Sequence, residues 1–282
     1  MLLLTAFIWG TAFVAQRTGL DSLGPISFLA MRSILGVLVL LPVVIFQFRS
    51  GRAKLAFPSV KAAFLCGAAY TGGALLQQAG LQYTTAGKAG FISSLYIVLV
   101  PMFSLVLKKK PHPIVWFSAA LSFFGMYLIS SVGSFSIGLG EAMMAASACC
   151  YSFQIMLVDH YVNRYEGVSL SAVQFGVASL LMLPAAFIFE NPTLAGIRGA
   201  GFELLYTGVF SSGIAFTLQI LGQKRTPAAI ATLIMCLESV FSALAGALIL
   251  GEVLTIREIS GCAMMLIAAL IAQLTALRHP TR

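Results

Sequence analysis

Apolar residues in this chain run in long blocks that short polar stretches separate. Each block holds about 20 residues, the length at which an α-helix can cross the hydrocarbon core of a membrane. The pattern predicts ten spanning helices, near residues 2–20, 25–47, 61–81, 88–107, 113–132, 139–158, 170–189, 201–222, 228–250 and 256–276.

The first block has a second reading, that of a cleaved signal peptide. Arg17 and Asp21 stand where the small residues of a cleavage site should lie. A spanning helix is therefore favoured for this block.

Composition agrees with a membrane protein. Of 282 residues, 59% are hydrophobic and 9% are charged, whereas soluble domains carry about a quarter charged residues. The longest polar stretches, near 49–60 and 159–168, have only the length of loops. The lipid bilayer is thus the expected environment, and the chain is expected to be a multi-pass protein of the cell membrane.

The basic residues predict the topology. Twelve of the 17 lysines and arginines follow the second, fourth, sixth and eighth predicted spans or lie in the C-terminal tail, and four lie on the opposite side. Because cytoplasmic loops are rich in basic residues, both termini are placed in the cytoplasm. This distribution also explains the net charge of +8 without a nucleic-acid partner.

The second half of the sequence resembles the first when it is shifted by 142 residues. Nine of the 23 positions from Leu76 to Val98 then match, whereas composition alone would give about two matches. Each half, 1–137 and 138–282, contains five predicted spans, and an odd number forces the two halves to insert with opposite orientation. Inverted five-helix repeats are typical of secondary transporters with a site near the midplane, so a transporter is favoured over a membrane scaffold.

Glu238 is the first candidate for function, because few ionisable residues lie inside the predicted spans. It lies about ten residues into the ninth span, close to the bilayer midplane. A carboxyl group there could carry a proton or pair with a cationic group of a substrate. The alternative is a carboxyl that helix-end amides or hydroxyls satisfy.

Arg32, inside the second predicted span, is the second candidate. Arginine keeps its charge, so it must find an acceptor, reach water or extend to the interface. It could bind a substrate carboxylate, lock an outer gate or bond to helix carbonyls. A structural or gating role is favoured over substrate binding.

Polar residues at repeat-related positions indicate a central cavity. Gln77 and Gln219 are counterparts, Gln174 corresponds to Arg32, and Tyr96 corresponds to Glu238. Hydrogen bonds between helices would explain the glutamines equally well. The candidate residues for substrate binding or coupling are therefore Glu238, Arg32, Gln77, Gln219, Tyr96, Trp9 and Gln174.

Signals for catalysis are poor. The three histidines lie in predicted loops or the tail, and the sequence has no H-x-x-x-H pair and no phosphate loop. Five cysteines fall inside predicted spans without paired C-x-x-C spacing, which argues against a disulfide framework or a zinc site. The sequence predicts no enzyme, no cofactor and no metal site.

Several short motifs resemble the EamA branch of the drug/metabolite transporter superfamily. They are Trp9-Gly10, Arg32, and the segment from Leu237-Glu238-Ser239-Val240-Phe241 to Leu250-Gly251-Glu252. Ser239 stands where the family pattern has proline, which leaves open whether the helix kinks there.

The resemblance implies ten helices in two inverted repeats around a central cavity. It also implies secondary transport, usually export of amino acids or other small metabolites. An amino acid or related zwitterion ranks first as substrate and an organic cation second. Protons are the candidate coupling ion, and Glu238 would exchange a proton for substrate during alternating access. A scaffold or lipid-handling protein without solute turnover is the alternative of another class.

Overall fold

The computed structural model describes residues 1–84, 86–108, 111–129, 138–250 and 254–278, with the backbone alone at 86–88, 246, 249–250 and 275–278. Within these ranges the chain is helical apart from turns, loops and one isolated parallel β-bridge between Ala56 and Tyr165. The described residues leave out three segments that enter the predictions: Lys109-Lys110, which are two of the twelve basic residues that predict the topology, Gly251-Glu252 of the motif, and residues 279–282.

The helices follow one another with short connections. In chain order they are α1 (Leu2–Gly19), α2 (Pro25–Arg49), α3 (Val60–Gly80), α4 (Ala86–Ser93), α5 (Tyr96–Val106), α6 (Pro113–Ile129), α7 (Leu139–Tyr161), α8 (Gly167–Phe189), α9 (Leu194–Gly199), α10 (Gly201–Leu205), a π-helical segment (Tyr206–Ala215), α11 (Phe216–Gln223), α12 (Ala228–Met235), α13 (Glu238–Leu250) and α14 (Ile256–Arg278).

Seven of the described segments are long and apolar enough to cross a membrane, which identifies a multi-pass membrane protein. They are Pro25–Arg49, Ala89–Val106, Leu139–Tyr161, Gly167–Phe189, Gly201–Gln223, Ala228–Ala245 and Ile256–Leu274. Helix α6 is apolar but shorter. The spans predicted near 2–20 and 61–81 are also helical, as α1 and α3, but they are not among the seven.

Two predicted spans are broken rather than continuous. The fourth divides into α4 and α5 at Ser94-Leu95, and the ninth divides into α12 and α13 at Cys236-Leu237. The two breaks lie 142 residues apart, as do the first residues of α4 and α12 and those of α2 and α8.

The apolar pattern does not indicate these breaks, because hydropathy reports side-chain polarity and not backbone hydrogen bonding. At the first break the Ile97 amide donates to the Ser94 carbonyl at 3.0 Å, and at the second the Ser239 amide donates to the Cys236 carbonyl at 3.1 Å. Each of these amides donates to the carbonyl three residues earlier, whereas an α-helix uses the carbonyl four residues earlier. The backbone is therefore tighter at each break. Neither break contains a proline or a glycine.

Close contacts between helices run through small residues. Helix α2 packs most extensively against α8, α3 against α7, and α6 against α14. In the last pair a Cβ added at Gly125 would lie 2.8 Å from the Gly261 carbonyl oxygen, and one at Gly261 would lie 2.5 Å from that of Gly125. Only glycine permits this approach of two backbones.

Candidate functional site

A cavity of about 500 Å³, counting its opening, lies among the helices. Its wall combines aromatic, amide and charged side chains from both halves of the sequence. The lining residues are Trp9, Phe13, Gln16, Arg32, Gln77, Ser93, Tyr96, Tyr151, Gln154, Ile155, Ser211, Phe216, Gln219 and Glu238. A mostly apolar wall with a few converging polar groups is typical of small-molecule sites.

Glu238 reaches the cavity because it is the first residue of α13, directly after the second helix break. Its side chain is only 4% exposed. The hydroxyl of Tyr96 donates to Glu238 Oε1 at 2.9 Å, and that of Ser94 donates to the same oxygen at 3.2 Å. Ser94 is also 3.2 Å from the hydroxyl of Ser239. The carboxyl group is therefore held by hydroxyls from the opposite broken helix pair.

Arg32 lies on α2 and is 2% exposed. Its Nη1 donates to Gln16 Oε1 at 2.9 Å, and its Nη2 donates to the Tyr70 hydroxyl at 3.4 Å. Its Nε has no partner. Among the residues that the structure describes, no carboxylate forms an ion pair with this guanidinium, so its charge is held by neutral groups.

Glutamines connect the cavity wall to the helices behind it. Gln77 donates to Ser93 at 3.0 Å and accepts from Tyr151 at 3.2 Å. Gln219 donates to Gln154 at 3.2 Å, and Gln154 donates to Gln174 at 3.0 Å. Gln174 does not line the cavity, and it contacts the lining residue Gln154 through this hydrogen bond.

Trp9 belongs to the aromatic part of the cavity wall. Its ring lies 4.6 Å from that of Phe216, centroid to centroid, and its Nε1 has no hydrogen-bond partner. The next residue, Gly10, contacts α13. A Cβ at Gly10 would lie 2.5 Å from the carbonyl oxygen of Glu238 and 2.8 Å from the Cβ of Phe241. The Trp9-Gly10 pair thus places an indole in the cavity and lets α1 approach Glu238.

Many lining residues are counterparts at the 142-residue shift. Four such pairs contribute both members to the wall. They are Trp9 and Tyr151, Phe13 and Ile155, Gln77 and Gln219, and Tyr96 and Glu238. Equivalent positions of the two halves therefore face one shared space.

The structure brings six of the seven residues predicted for the site to one cavity, and Gln174 is the exception. Gln16, Ser93, Ser94 and Ser211 were not predicted, because short polar residues inside apolar helices resemble ordinary packing positions. Phe13 and Ile155 were also missed. Extending the repeat register to Trp9 and its neighbours would have indicated both.

Comparison with known proteins identifies the family. The model of the EamA-like transporter family matches residues 1–131 and 138–273. An uncharacterized transporter of Archaeoglobus fulgidus is 31% identical over 275 residues, which cover 97% of this chain and 84% of that protein. An S-adenosylmethionine/S-adenosylhomocysteine transporter of Chlamydia muridarum is 24% identical over 210 residues, covering 68% of this chain and 64% of its own length.

A solved structure shares the fold. The crystal structure of another protein, 18% identical in sequence, superposes with a TM-score of 0.77 and covers 96% of this chain and 99% of its own. The family match spans most of the sequence in two segments. The chain belongs to the EamA-like transporter family.

Proposed function

We propose that this protein is a secondary transporter that exports a small zwitterionic metabolite, such as an amino acid, by alternating access coupled to protons. In this proposal ten spans form two inverted five-helix repeats, residues 1–137 and 138–282, and both termini are cytoplasmic. The proposed substrate-binding and coupling residues are Glu238, Arg32, Gln77, Gln219, Tyr96 and Trp9, and Gln174 acts through Gln154.

The single observation that carries the proposal is the set of four counterpart pairs lining one cavity. If the repeats are inverted, a cavity shared by equivalent residues lies on the axis that relates them. Rocking of one repeat against the other would then open such a cavity to one side of the membrane and afterwards to the other.

The helix boundaries and the family match support the division into repeats. The breaks at Ser94-Leu95 and Cys236-Leu237 are equivalent positions, and the two segments that match the family model begin 137 residues apart, at 1 and 138. Each half contributes one broken span to the midplane. Broken helices at a shared central site are a frequent feature of secondary transporters.

The charges of the cavity favour a zwitterion as substrate. Glu238 offers a carboxylate for an ammonium group, and Arg32 offers a guanidinium for a carboxylate. The relative named as an S-adenosylmethionine/S-adenosylhomocysteine transporter supports this choice, because both of those compounds contain an α-amino acid group. An organic cation without a carboxylate, which ranked second, is less favoured, since it would leave the charge of Arg32 without an anionic partner.

Uptake into inside-out membrane vesicles tests the proposed function, because uptake there corresponds to export from the cell. Vesicles with the protein should accumulate at least one radiolabelled L-α-amino acid when their interior is acidic, and collapse of the pH gradient should abolish accumulation. Accumulation equal to that of vesicles from cells without the protein, for amino acids, polyamines and cationic dyes alike, would favour the scaffold alternative.

A further inference from the structure

We infer that Arg32 and Trp9 together form a subsite for the carboxylate of the substrate, opposite an ammonium subsite at Glu238. This inference deepens the proposed function and rests on it. It assigns the substrate an orientation, with its carboxylate toward α2 and its amino group toward the second helix break.

Two unpartnered donors carry the inference. Arg32 Nε and Trp9 Nε1 are both buried and without a hydrogen-bond partner, and both residues line the cavity. A buried donor without an acceptor is unfavourable. A carboxylate in the cavity would supply acceptor oxygens to both donors, and it would also compensate the charge of the guanidinium.

The surroundings of Arg32 hold it in place without neutralising it. Gln16 accepts from Nη1 at 2.9 Å, and the amide of Gln78 donates to the Gln16 backbone carbonyl at 3.1 Å. Tyr70, which accepts from Nη2 at 3.4 Å, is itself fully buried. In the part of the chain that the structure describes, no carboxylate bonds to Arg32, so the positive charge remains available to a ligand.

Glu238 is the negatively charged end of the proposed site and complements Arg32. Both hydroxyls that reach Glu238, those of Tyr96 and Ser94, donate to the same oxygen, Oε1. The counterparts of the two charged residues are neutral, since Gln174 corresponds to Arg32 and Tyr96 corresponds to Glu238. The cavity lining that the structure describes therefore carries one positive residue, Arg32, and one negative residue, Glu238, which a zwitterion matches.

Binding to the purified full-length protein in detergent tests the inference. The twenty proteinogenic L-α-amino acids are compared by isothermal titration calorimetry, and the tightest binder is then compared with its carboxamide and its N-acetyl derivative. The wild-type protein should bind both derivatives about ten- to hundredfold more weakly, because each lacks one charged group. Equal affinity for the amino acid and its carboxamide would overturn the inference.

Two substitutions separate a carboxylate subsite from a structural arginine. Arg32→Gln should weaken amino acid binding to the level of the carboxamide, and it should leave carboxamide binding equal or tighter, because a repelling charge is gone. Trp9→Phe should weaken binding of the amino acid several-fold and binding of the carboxamide less, because an indole N–H bonds more strongly to a carboxylate than to an amide oxygen. The exposed Arg198→Gln is the matched control and should bind as wild type.

Different results distinguish the carboxylate subsite from a structural role of Arg32 and from the transporter function. Loss of amino acid and carboxamide binding to the same extent in Arg32→Gln would assign Arg32 a structural role and overturn the inference. If Arg32→Gln does not fold, Trp9→Phe and the wild-type derivatives decide. Failure of all amino acids to bind, together with pH-driven uptake of another solute by vesicles, would overturn the inference and leave the transporter function intact.

Discussion

The hydroxyl of Tyr96 donates a 2.9 Å hydrogen bond to the carboxyl group of Glu238, and the two residues lie at equivalent positions of the sequence repeat. Each is the first residue of the second helix of a broken pair, α5 and α13. The contact therefore joins the two helix breaks directly. Movement of one half against the other would strain or break this bond, which makes it a point where substrate binding and conformational change can be coupled.

Replacing Tyr96 with phenylalanine should slow transport while the protein stays folded. The substitution keeps the ring but removes one of the two donors to Glu238 Oε1, a loss of about 1 kcal/mol, so we expect the initial rate of pH-driven uptake to fall about fivefold. The exposed Tyr83→Phe serves as control. An unchanged rate in Tyr96→Phe would show that the bond has no part in transport.

Gly10→Ala should destabilise the protein by about 1–3 kcal/mol, because the added methyl group would push α1 away from the start of α13. The matched control is Gly176→Ala in α8, where an added Cβ meets no atom within 4 Å. That control should be neutral or slightly stabilising, since alanine favours a helix. Thermal unfolding in detergent measures both variants, and equal melting temperatures would contradict the proposed close approach.

Glu190 fixes the start of α2. Its two carboxylate oxygens accept from the backbone amides of Ile26 and Ser27 at 3.0 and 2.8 Å. Glu190→Ala should therefore lower stability by about 1 kcal/mol through loss of a charged helix cap. Glu203→Ala, which removes only an exposed 3.3 Å contact to Thr18, should change the melting temperature little. A larger effect for Glu203 than for Glu190 would refute this assignment.

Gln174→Leu should cost about 1–3 kcal/mol, because it leaves the buried amide nitrogen of Gln154 without its acceptor. Adding Gln154→Leu should recover part of that loss, since Gln219 retains Gln223 as an acceptor at 3.0 Å. The melting temperatures of the two single variants and the double variant measure this coupling. Strictly additive losses would mean that the two glutamines act independently.

The sequence was sufficient to predict the helices, their approximate ends and six of the 14 residues that line the cavity. Apolar blocks report helix length directly, and the repeat identified Gln77, Gln219 and Tyr96 through their counterparts. The helix breaks beside Tyr96 and Glu238 could not be predicted from the sequence. At a break the backbone amide bonds to the carbonyl three residues earlier instead of four, and this change needs no proline and leaves the hydropathy unchanged. The family pattern has proline at the position of Ser239, yet the chain turns there without it.

The position of Gln174 differs from the predicted one, since it does not line the cavity. Its equivalence to Arg32 placed it at the cavity, but equivalence along the sequence does not fix where a side chain points. Gln154, on the preceding helix α7, lines the cavity instead, and its side-chain amide donates a hydrogen bond to the Gln174 oxygen. Arg32, in contrast, lines the cavity itself.

The most direct test of the account is pH-driven uptake by inside-out vesicles that contain equal amounts of wild-type protein or Glu238→Gln. The account predicts that Glu238→Gln accumulates no amino acid above vesicles lacking the protein, because the variant can neither exchange a proton nor pair with the ammonium group. The half-buried Glu203, which is not among the residues that line the cavity, gives the control Glu203→Gln, and this variant should accumulate as wild type. Proton-driven uptake by Glu238→Gln at the wild-type rate would contradict the central role of this residue.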